Sequence, residues 1–325
     1  MRKLLQATLL AVLPLAAVVN TAHAAADWPS KPLTLIVPFG PGSSPDTMAR
    51  VIAEQAGETL GQPIVVQNKP GASGNLGTAA IAKAKPDGYT FGVSITGPLV
   101  NNTVLYSDLP YDPKKDIDPL TLGVHQHNIL VVPASSPIKS FDDLLKAMKS
   151  QAKPYNFPST GAGTVSHLSV ELLLERTGGK AVHVPYASSP AAVTSLLSGD
   201  TDFAALPPIA VMSMIKDGRL RALAAVSKKR LSFLPDTPTI EELGIPGIEG
   251  SGWIGFVAPA GVPADIEKKL ADALMSAIKT PSVQQRLASQ YMEPAADGPD
   301  AFRQYMDDEF KRWEPLIKRL NLTVN

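Results

Sequence analysis

After residue 32 the chain begins with short apolar runs separated by amphipathic stretches. Leu33–Val37 is a continuous run of apolar and β-branched residues, which is typical of a strand buried on both faces. Pro63–Gln67 and Tyr89–Ile95 have the same character, and apolar residues at helical spacing fill the intervals between the three runs. This order predicts a parallel sheet covered by helices, with ligands bound beyond the carboxyl ends of its strands.

A second α/β pattern follows, and amphipathic helices take over near the end. The further predicted strands are Leu120–Val124, Asn128–Val132, Tyr155–Pro158, Ala181–Pro185, Asp202–Leu206, Leu220–Val226 and Trp253–Ala258. The further predicted helices include Ser140–Ser150, His167–Arg176, Ser188–Gly199, Ala264–Lys279, Ser282–Gln290 and Asp300–Leu320. We expect two lobes, lobe 1 formed by residues 27–124 and 228–325 and lobe 2 by residues 125–227. The crossovers between them are predicted near Leu120–His127 and Ala222–Lys228.

The first strand is followed by a loop that suits an anion. Gly42 and Ser43 end the turn, Ser44 is a good N-cap, and Pro45 suits the first helical position. Asp46 favours the first turn of the helix. The free N–H groups of such a helix start bind anions. An ordinary capped turn without a ligand is the alternative.

A second loop of small residues precedes another predicted helix. Gly161 and Gly163 have the spacing of a dinucleotide-binding loop, but Ser166 stands where that loop needs a third glycine. A nucleotide site is therefore disfavoured. Thr160, Thr164 and Ser166 add hydroxyl groups to the backbone donors, so an anion-binding turn is the better interpretation.

The sequence offers candidate residues for a serine-hydrolase site and for a metal site, and each candidate can be compared with a purely structural role. Gly71–Gly74 does not match the nucleophile elbow of serine hydrolases, and Ser166 and His167 are helix neighbours that do not face one another. His125 and His127 could face one side of a strand as a metal pair, yet no third ligand lies close in the sequence. We expect no catalytic residue and no metal.

His183 lies in an alternating strand, and a half-buried packing role is expected for it. The chain has no cysteine, which excludes thiol chemistry and a disulfide scaffold.

The N-terminal residues have the pattern of a secretory signal peptide. Arg2 and Lys3 precede the apolar run Leu4–Val19, and small residues follow at a cleavage site near Ala24–Ala26. Met1–Ala26 is therefore predicted to be removed, which places the mature chain in the periplasm. Without Arg2 and Lys3, 28 basic side chains face 30 acidic ones, which argues against nucleic acid and membrane surfaces as partners.

Short motifs spread over the mature chain carry a resemblance to a known family. They include Trp28–Pro32, Leu35–Phe39, Asn68–Ala72, Pro86–Tyr89, Leu109–Pro113, Gly161–Leu168, His183–Tyr186, Gly218–Leu223, Leu234–Thr239 and Ala258–Gly261. In this order and spacing the chain resembles the Bug family, the extracytoplasmic substrate-binding receptors of tripartite tricarboxylate transporters.

The resemblance implies a type II periplasmic-binding-protein fold, an α/β fold of two Rossmann-like lobes joined by a two-strand hinge. It also implies a carboxylate-binding site formed by the two loops. The expected ligand-binding residues are Phe39, Gly42, Ser43, Ser44 and Asp46 on the first loop and Thr160, Gly161, Ala162, Gly163, Thr164 and Ser166 on the second. Thr96, Gly97, Tyr186, Ser188 and Ala205 are expected at the other end of the ligand.

Two positions depart from the family pattern. Ser43 replaces a glycine of many relatives, and Ala204 replaces an acidic residue that could receive a substrate ammonium group. Amino-acid ligands are therefore disfavoured, and a di- or tricarboxylate or an aromatic acid is expected.

The function that the resemblance implies is that of a non-catalytic receptor that delivers a small carboxylate to a membrane permease. We expect no cofactor and a monomer. A ligand sensor that reports to a two-component kinase is the alternative, and an enzyme on the same fold comes third.

Overall fold

The computed structural model describes residues 28–150, 154–248 and 250–324, so the predicted signal peptide lies outside the described residues. The strands are β1 (Leu33–Val37), β2 (Ile64–Asn68), β3 (Thr90–Ile95), β4 (Ile117–His127), β5 (Ile129–Pro133), β6 (Tyr155–Ser159), β7 (Ala181–Pro185), β8 (Ala204–Leu206), β9 (Leu220–Ala225), β10 (Ser251–Pro259) and β11 (Glu293–Asp297). The helices are α1 (Ser44–Leu60), α2 (Asn75–Ala82), α3 (Asn102–Leu105), α4 (Phe141–Ser150), α5 (Val165–Thr177), α6 (Ser189–Ser198), α7 (Pro208–Lys216), α8 (Ala264–Lys279), α9 (Pro281–Ser289) and α10 (Pro299–Arg319). A 3₁₀ turn covers Ala72–Gly74, and a π-helical turn covers Gly97–Asn101. Among the described helices, none combines the length and apolar character needed to cross a membrane.

The larger sheet has six strands in the order β11-β4-β10-β3-β1-β2. Strand β1 pairs in parallel with β2 and β3, as the sequence predicts. Strand β10 runs antiparallel to both β3 and β4, so the complete sheet is mixed. The reason is that β10 returns from the second block of the chain and inserts between β3 and β4, a pairing between distant segments.

The second block forms two smaller sheets, the antiparallel β8-β5-β9 and the parallel pair β6-β7. The chain enters this block between β4 and β5. There the N–H of Asn128 donates to the carbonyl of Gly250, and its own carbonyl accepts from the N–H of Val226. Ile240 and Ile248 pack into the same apolar cluster as β5 and β9 residues. The division into two lobes, with a second crossing near Ala222–Lys228, stays a prediction.

Two elements have no counterpart among the predicted ones. Helix α7 starts directly after Pro207, where two consecutive prolines indicate a strand end; Pro208 occupies the first turn, a position that tolerates proline because its N–H would have no partner there. Strand β11 is a short edge strand with an irregular register against β4. Its five residues carry no alternating pattern that could predict it.

A buried carboxylate joins two apolar clusters. Glu309 of α10 accepts hydrogen bonds from the indole N–H of Trp253 over 3.2 Å and from that of Trp313 over 3.0 Å. Trp253 and Trp313 belong to different clusters. Because a buried acceptor shared by two donors resists rotation of either ring, Glu309 fixes the indole of Trp253 on β10.

Candidate functional site

A cleft lies where the carboxyl ends of β1 and β3 face the second block of the chain. It holds about 520 Å³ of empty space when its open mouth is included. The lining residues are Phe39, Ser43, Ser44, Pro45, Ile95, Thr96, Gln126, Asn128, Thr160, Thr164, Val165, Ser166, Ser189, Pro207, Gly252, Trp253 and Ile254. Both loops that the sequence singles out therefore contribute to one cleft.

The first loop ends in a helix start without a side-chain cap. The N-cap of α1 is Ser43, one residue before the predicted Ser44, and its side chain makes no capping hydrogen bond. Instead the Ser43 hydroxyl donates to the carbonyl oxygen of Gly40 over 2.7 Å. The first N–H groups of a helix have no intrahelical acceptor, so this start leaves donors for a ligand.

The second loop repeats this arrangement. Thr164 is the N-cap of α5, and its side chain makes no capping hydrogen bond either. Its hydroxyl donates to the carbonyl oxygen of Gly161 over 2.7 Å. The helix dipole gives each start a partial positive charge of roughly +0.5. Together, α1 and α5 favour a negative charge in the cleft.

Helix α6 also begins at the cleft but is capped in the ordinary way. The hydroxyl of its N-cap Ser188 accepts from the N–H of Ala191 over 3.4 Å. One of its free donors is thereby satisfied within the protein. The starts of α1 and α5 are consequently better suited to a ligand than that of α6.

Three polar atoms of the cleft are buried without a hydrogen-bond partner among the described residues. They are the hydroxyls of Ser44 and Thr96 and the side-chain amide nitrogen of Gln126. A buried polar group without a partner costs about 1–3 kcal/mol. Such groups in a cleft are expected where a ligand supplies the partners.

No Lys, Arg, Asp or Glu is found among the described lining residues. The nearest acidic residue along the chain, Asp46 in the first turn of α1, is turned to other partners. It accepts from the N–H of Gly42 over 3.0 Å and from the side chains of Arg50 and Asn68. Burial alone would raise the pKa of Asp46, but these hydrogen bonds outweigh it and hold the pKa below its usual value. Asp46 therefore stays ionised and fixes the first loop.

The structure brings part of the expected ligand-binding set to the cleft wall. The expected residues that line it are Phe39, Ser43, Ser44, Thr96, Thr160, Thr164 and Ser166. Those outside the lining are Gly42, Asp46, Gly97, Gly161, Ala162, Gly163, Tyr186, Ser188 and Ala205. Two residues of the second group hold residues at the cleft through hydrogen bonds. The N–H of Gly42 donates to the carboxylate of Asp46, and the Ala205 carbonyl accepts from the amide of Asn128 over 3.4 Å. Whether each residue contacts a ligand stays a prediction.

Sequence reasoning missed the residues that β4 and β10 contribute. Gln126 alternates with His125 and His127 and therefore faces the other side of β4, and Asn128 follows at the crossing into β5. The Asn128 amide donates to the hydroxyl of Ser166 over 3.3 Å. The alternation itself was the available signal, because a strand that connects two blocks must present one face to the space between them.

The two histidines of β4 lie outside the cleft. The ring of His125 packs edge-on against Tyr305, with centroids 5.4 Å apart, and His127 lies 3.9 Å from the carboxylate of Glu293. Among residues 28–150, 154–248 and 250–324, no group of three potential metal ligands occurs.

Comparisons with known proteins give one consistent result. A sequence model of the family described as "Tripartite tricarboxylate transporter family receptor" matches residues 48–322. Protein BugT of Bordetella pertussis is 36% identical over 294 residues, which cover 90% of this chain and 90% of that protein.

Solved structures match over nearly the whole chain. The periplasmic binding protein BugD superposes with a TM-score of 0.86 at 30% identity, covering 91% of this chain and 99% of that one. Rpa4515 of R. palustris, solved with adipate, gives a TM-score of 0.86 at 32% identity over 90% of this chain and 98% of that one. MatC of Rhodopseudomonas palustris, solved with bound malate, gives 0.84 at 30% identity over 89% of this chain and 100% of that one.

Proposed function

The chain belongs to the tripartite tricarboxylate transporter receptor family, and from this premise we propose that it binds a small dicarboxylate in the cleft and delivers it to a membrane permease. The match to the family model and the likeness to BugT and BugD confirm the resemblance to Bug proteins and the periplasmic-binding-protein fold. Because this family consists of receptors, the match also confirms the expectation that the chain is a solute-binding protein rather than an enzyme.

The observation that carries the proposal is the meeting of two uncapped helix starts in one uncharged cleft. Hydrogen bonds from backbone N–H groups to a carboxylate contribute about 1.5–3 kcal/mol each. A few such bonds and some buried carbon reach micromolar affinity, on the order of −8 kcal/mol, after the costs of ordering. No cationic side chain is needed for that affinity.

A second acidic group on the ligand is supported by the unpartnered donors elsewhere in the cleft. Gln126 lies on β4 and Thr96 directly follows β3, neither of which leads into α1, so they suit a group at the other end of the ligand. Adipate and malate, found in two structural neighbours, are both dicarboxylates. Ala204 is fully buried in β8 and offers no carboxylate for an ammonium group, which disfavours amino acids.

Contacts between the two blocks of the chain support closure around the ligand. The side-chain amide of Asn101 donates to the carbonyl oxygen of Gly163 over 2.7 Å. Closure of this kind is favoured only when the ligand binds both sides at once. We place the mature protein in the periplasm as a monomer; the description of BugD as periplasmic supports the location.

Titration calorimetry of residues 27–325 with adipate, malate and aspartate tests the proposal. We expect adipate or malate to bind and aspartate to bind more weakly. Ser166→Ala should weaken binding about fivefold, since Ser166 lines the cleft at the start of α5, and should leave the melting temperature nearly unchanged. Absence of binding by both dicarboxylates, or unchanged affinity in Ser166→Ala, would contradict the proposed site.

Delivery to a permease needs a separate experiment. Deletion of the gene should abolish uptake of the bound dicarboxylate by the cells. Unimpaired uptake with a lost transcriptional response to the ligand would instead indicate the sensor function.

A further inference from the structure

The second loop rests on two stacked imidazoles that the proposed function does not use. His167 of α5 and His183 of β7 lie with their ring centroids 3.8 Å apart and their planes 19° from parallel. His167 is buried, and Phe157 of β6 packs against both rings. The pair occupies the space beneath the turn Thr160–Thr164.

His167 holds one glycine of this turn. The backbone N–H of Gly163 donates to Nδ1 of His167 over 3.2 Å. Nε2 of the same ring lies 3.5 Å from the carboxylate of Glu171, one helical turn further along α5. Nδ1 must be unprotonated to accept from the Gly163 N–H, and the carboxylate beside Nε2 is an acceptor for a proton there. The ring is therefore neutral, with its proton on Nε2.

His183 holds the other glycine through a serine. Its Nε2 lies 2.6 Å from the hydroxyl oxygen of Ser159. That oxygen also accepts from the N–H of Gly161 and donates to the Gly161 carbonyl, both over 3.0 Å. With the hydroxyl proton assigned to the Gly161 carbonyl, His183 is the donor to Ser159 and carries its proton on Nε2 as well.

The turn depends on these supports because its glycines have unusual backbone angles. Gly161 and Gly163 have φ values of +129° and +77°. A Cβ on Gly163 would lie 2.1 Å from the side-chain oxygen of Asn102, and one on Gly161 would lie 2.8 Å from Ser73. Glycine is flexible when free, so this conformation depends on hydrogen bonds, one within the turn from Thr164 and others from His167 and Ser159 outside it.

We propose that His167 and His183 are positioning residues for the turn Thr160–Thr164, both acting as neutral imidazoles protonated on Nε2, with His167 holding the Gly163 N–H and His183 holding Gly161 through Ser159. The inference rests on the proposed function in one respect, namely that this turn binds the carboxylate. A protonated Nδ1 is a donor and cannot accept from Gly163.

The surroundings of the pair fit this assignment. Glu171 on α5 lies 3.5 Å from Nε2 of His167, and the ring of His183 on β7 stacks on it with the centroids 3.8 Å apart. On the β6 side the neighbours are the neutral Phe157 and Ser159. Burial, and then the charge of His167, lower the pKa of His183 to about 3, so His183 is neutral above that pH.

Asparagine and glutamine substitutions distinguish the hydrogen bond made by Nδ1 from the one made by Nε2. The Asn amide places an acceptor near the position of Nδ1, and the Gln amide reaches the position of Nε2. His167→Asn should therefore keep the bond to Gly163, and His167→Gln should lose it. The expectation reverses at the other ring: His183→Gln should keep the bond to Ser159, and His183→Asn should lose it.

The first measurement uses the unliganded protein. Nitrogen-15 NMR of the imidazoles should show both rings protonated on Nε2. His167→Gln should displace the Gly163 resonance far more than His167→Asn does. A proton on Nδ1 of His167, or equal displacement in the two variants, would overturn the proposal without reference to any ligand.

The second measurement uses adipate and malate. The affinity for whichever binds should fall about tenfold in His167→Gln and His183→Asn, and less than about threefold in His167→Asn and His183→Gln. Equal losses in each Asn/Gln pair would overturn the positioning role. If the wild type binds neither acid, the proposed function fails, and the NMR result alone decides this inference.

Discussion

The hydroxyls of Ser43 and Thr164 make the same hydrogen bond at the starts of two different helices. Each donates over 2.7 Å to the carbonyl oxygen three residues earlier, which belongs to Gly40 in one loop and to Gly161 in the other. The backbone N–H of each residue donates to the same carbonyl. In an ordinary N-cap the hydroxyl would accept from a helical N–H. Here it closes the turn and leaves the helical donors to a ligand.

Removal of the Thr164 hydroxyl should therefore loosen the turn and weaken binding. We expect Thr164→Val to reduce dicarboxylate affinity about five- to tenfold, which corresponds to loss of one hydrogen bond of about 1 kcal/mol. Titration calorimetry measures the effect. Thr164→Ser keeps the hydroxyl and is the matched control, with affinity close to that of wild type. Equal affinities of the Val and Ser variants would show that the hydroxyl does not position the turn.

Gly42 and Gly61 provide a comparison between the two ends of α1. Both have positive φ, +76° and +69°, and neither would bring a Cβ within 3.8 Å of another group. Gly42→Val and Gly61→Val should each lower the free energy of unfolding by about 1–2 kcal/mol through backbone strain alone. Gly42→Val should also weaken dicarboxylate binding, because Gly42 precedes the helix start at the cleft. Denaturant unfolding and calorimetry together check this expectation; a similar loss of affinity in Gly61→Val would refute the local explanation.

Stability should fall in mild acid because of His183. Burial, followed by the charge of His167, lowers the pKa of His183 to about 3, whereas the unfolded chain has the ordinary value near 6.5. The unfolded state therefore binds a proton between these values and the folded state does not. The free energy of unfolding should decrease as the pH falls from 6.5 towards 3, by at most about 1.4 kcal/mol per pH unit.

Chemical denaturation at a series of pH values measures this slope. His183→Gln cannot titrate, so its unfolding free energy should depend less on pH over the same interval. Asp46 acts at lower pH: its pKa is depressed, so its contribution is present above about 3.8 and is lost as the pH falls through the folded value. A wild-type slope equal to that of His183→Gln would contradict a neutral His183 in the folded protein.

The parts of the structure that could be predicted from the sequence are those determined by residues close together in the chain. Strands β1 and β7 and helix α8 have the predicted bounds, because apolar periodicity and adjacent turn residues define them. The two loops that line the cleft could be singled out because their pattern lies within a few consecutive residues.

The missed parts of the site depend on pairing between distant segments. Alternation along β4 indicates the face that Gln126 occupies, but no feature near Gln126 indicates that Gly252 of β10 lies opposite it in the cleft wall. Trp253 is fixed by Glu309, a residue 56 positions later. The mixed direction of the sheet has the same origin, since β10 follows β4 only after the whole second block.

Substitution of Gln126 is the sharpest test of whether the ligand has a second acceptor group that reaches this part of the cleft. Its amide nitrogen is buried without a partner among the described residues, so the unliganded protein bears its desolvation cost. Gln126→Leu should raise the free energy of unfolding of the unliganded protein by roughly 1 kcal/mol and weaken dicarboxylate binding at the same time. A higher unfolding free energy together with a lower affinity would indicate that Gln126 serves ligand binding rather than stability. Unchanged affinity would exclude Gln126 from the site.

Thr96 and Thr78 extend this argument with a matched pair of buried threonines. The hydroxyl of Thr96 has no partner among the described residues, whereas that of Thr78 lies 2.9 Å from the hydroxyl of Ser94. Thr96→Val should therefore leave the unfolding free energy unchanged or raise it, and should weaken dicarboxylate binding. Thr78→Val should lower the unfolding free energy by about 1 kcal/mol, because it leaves Ser94 without its partner, and should not change the affinity. Denaturant unfolding and calorimetry on the two variants check both expectations, and a loss of stability without a loss of affinity in Thr96→Val would place its hydroxyl outside the ligand's reach.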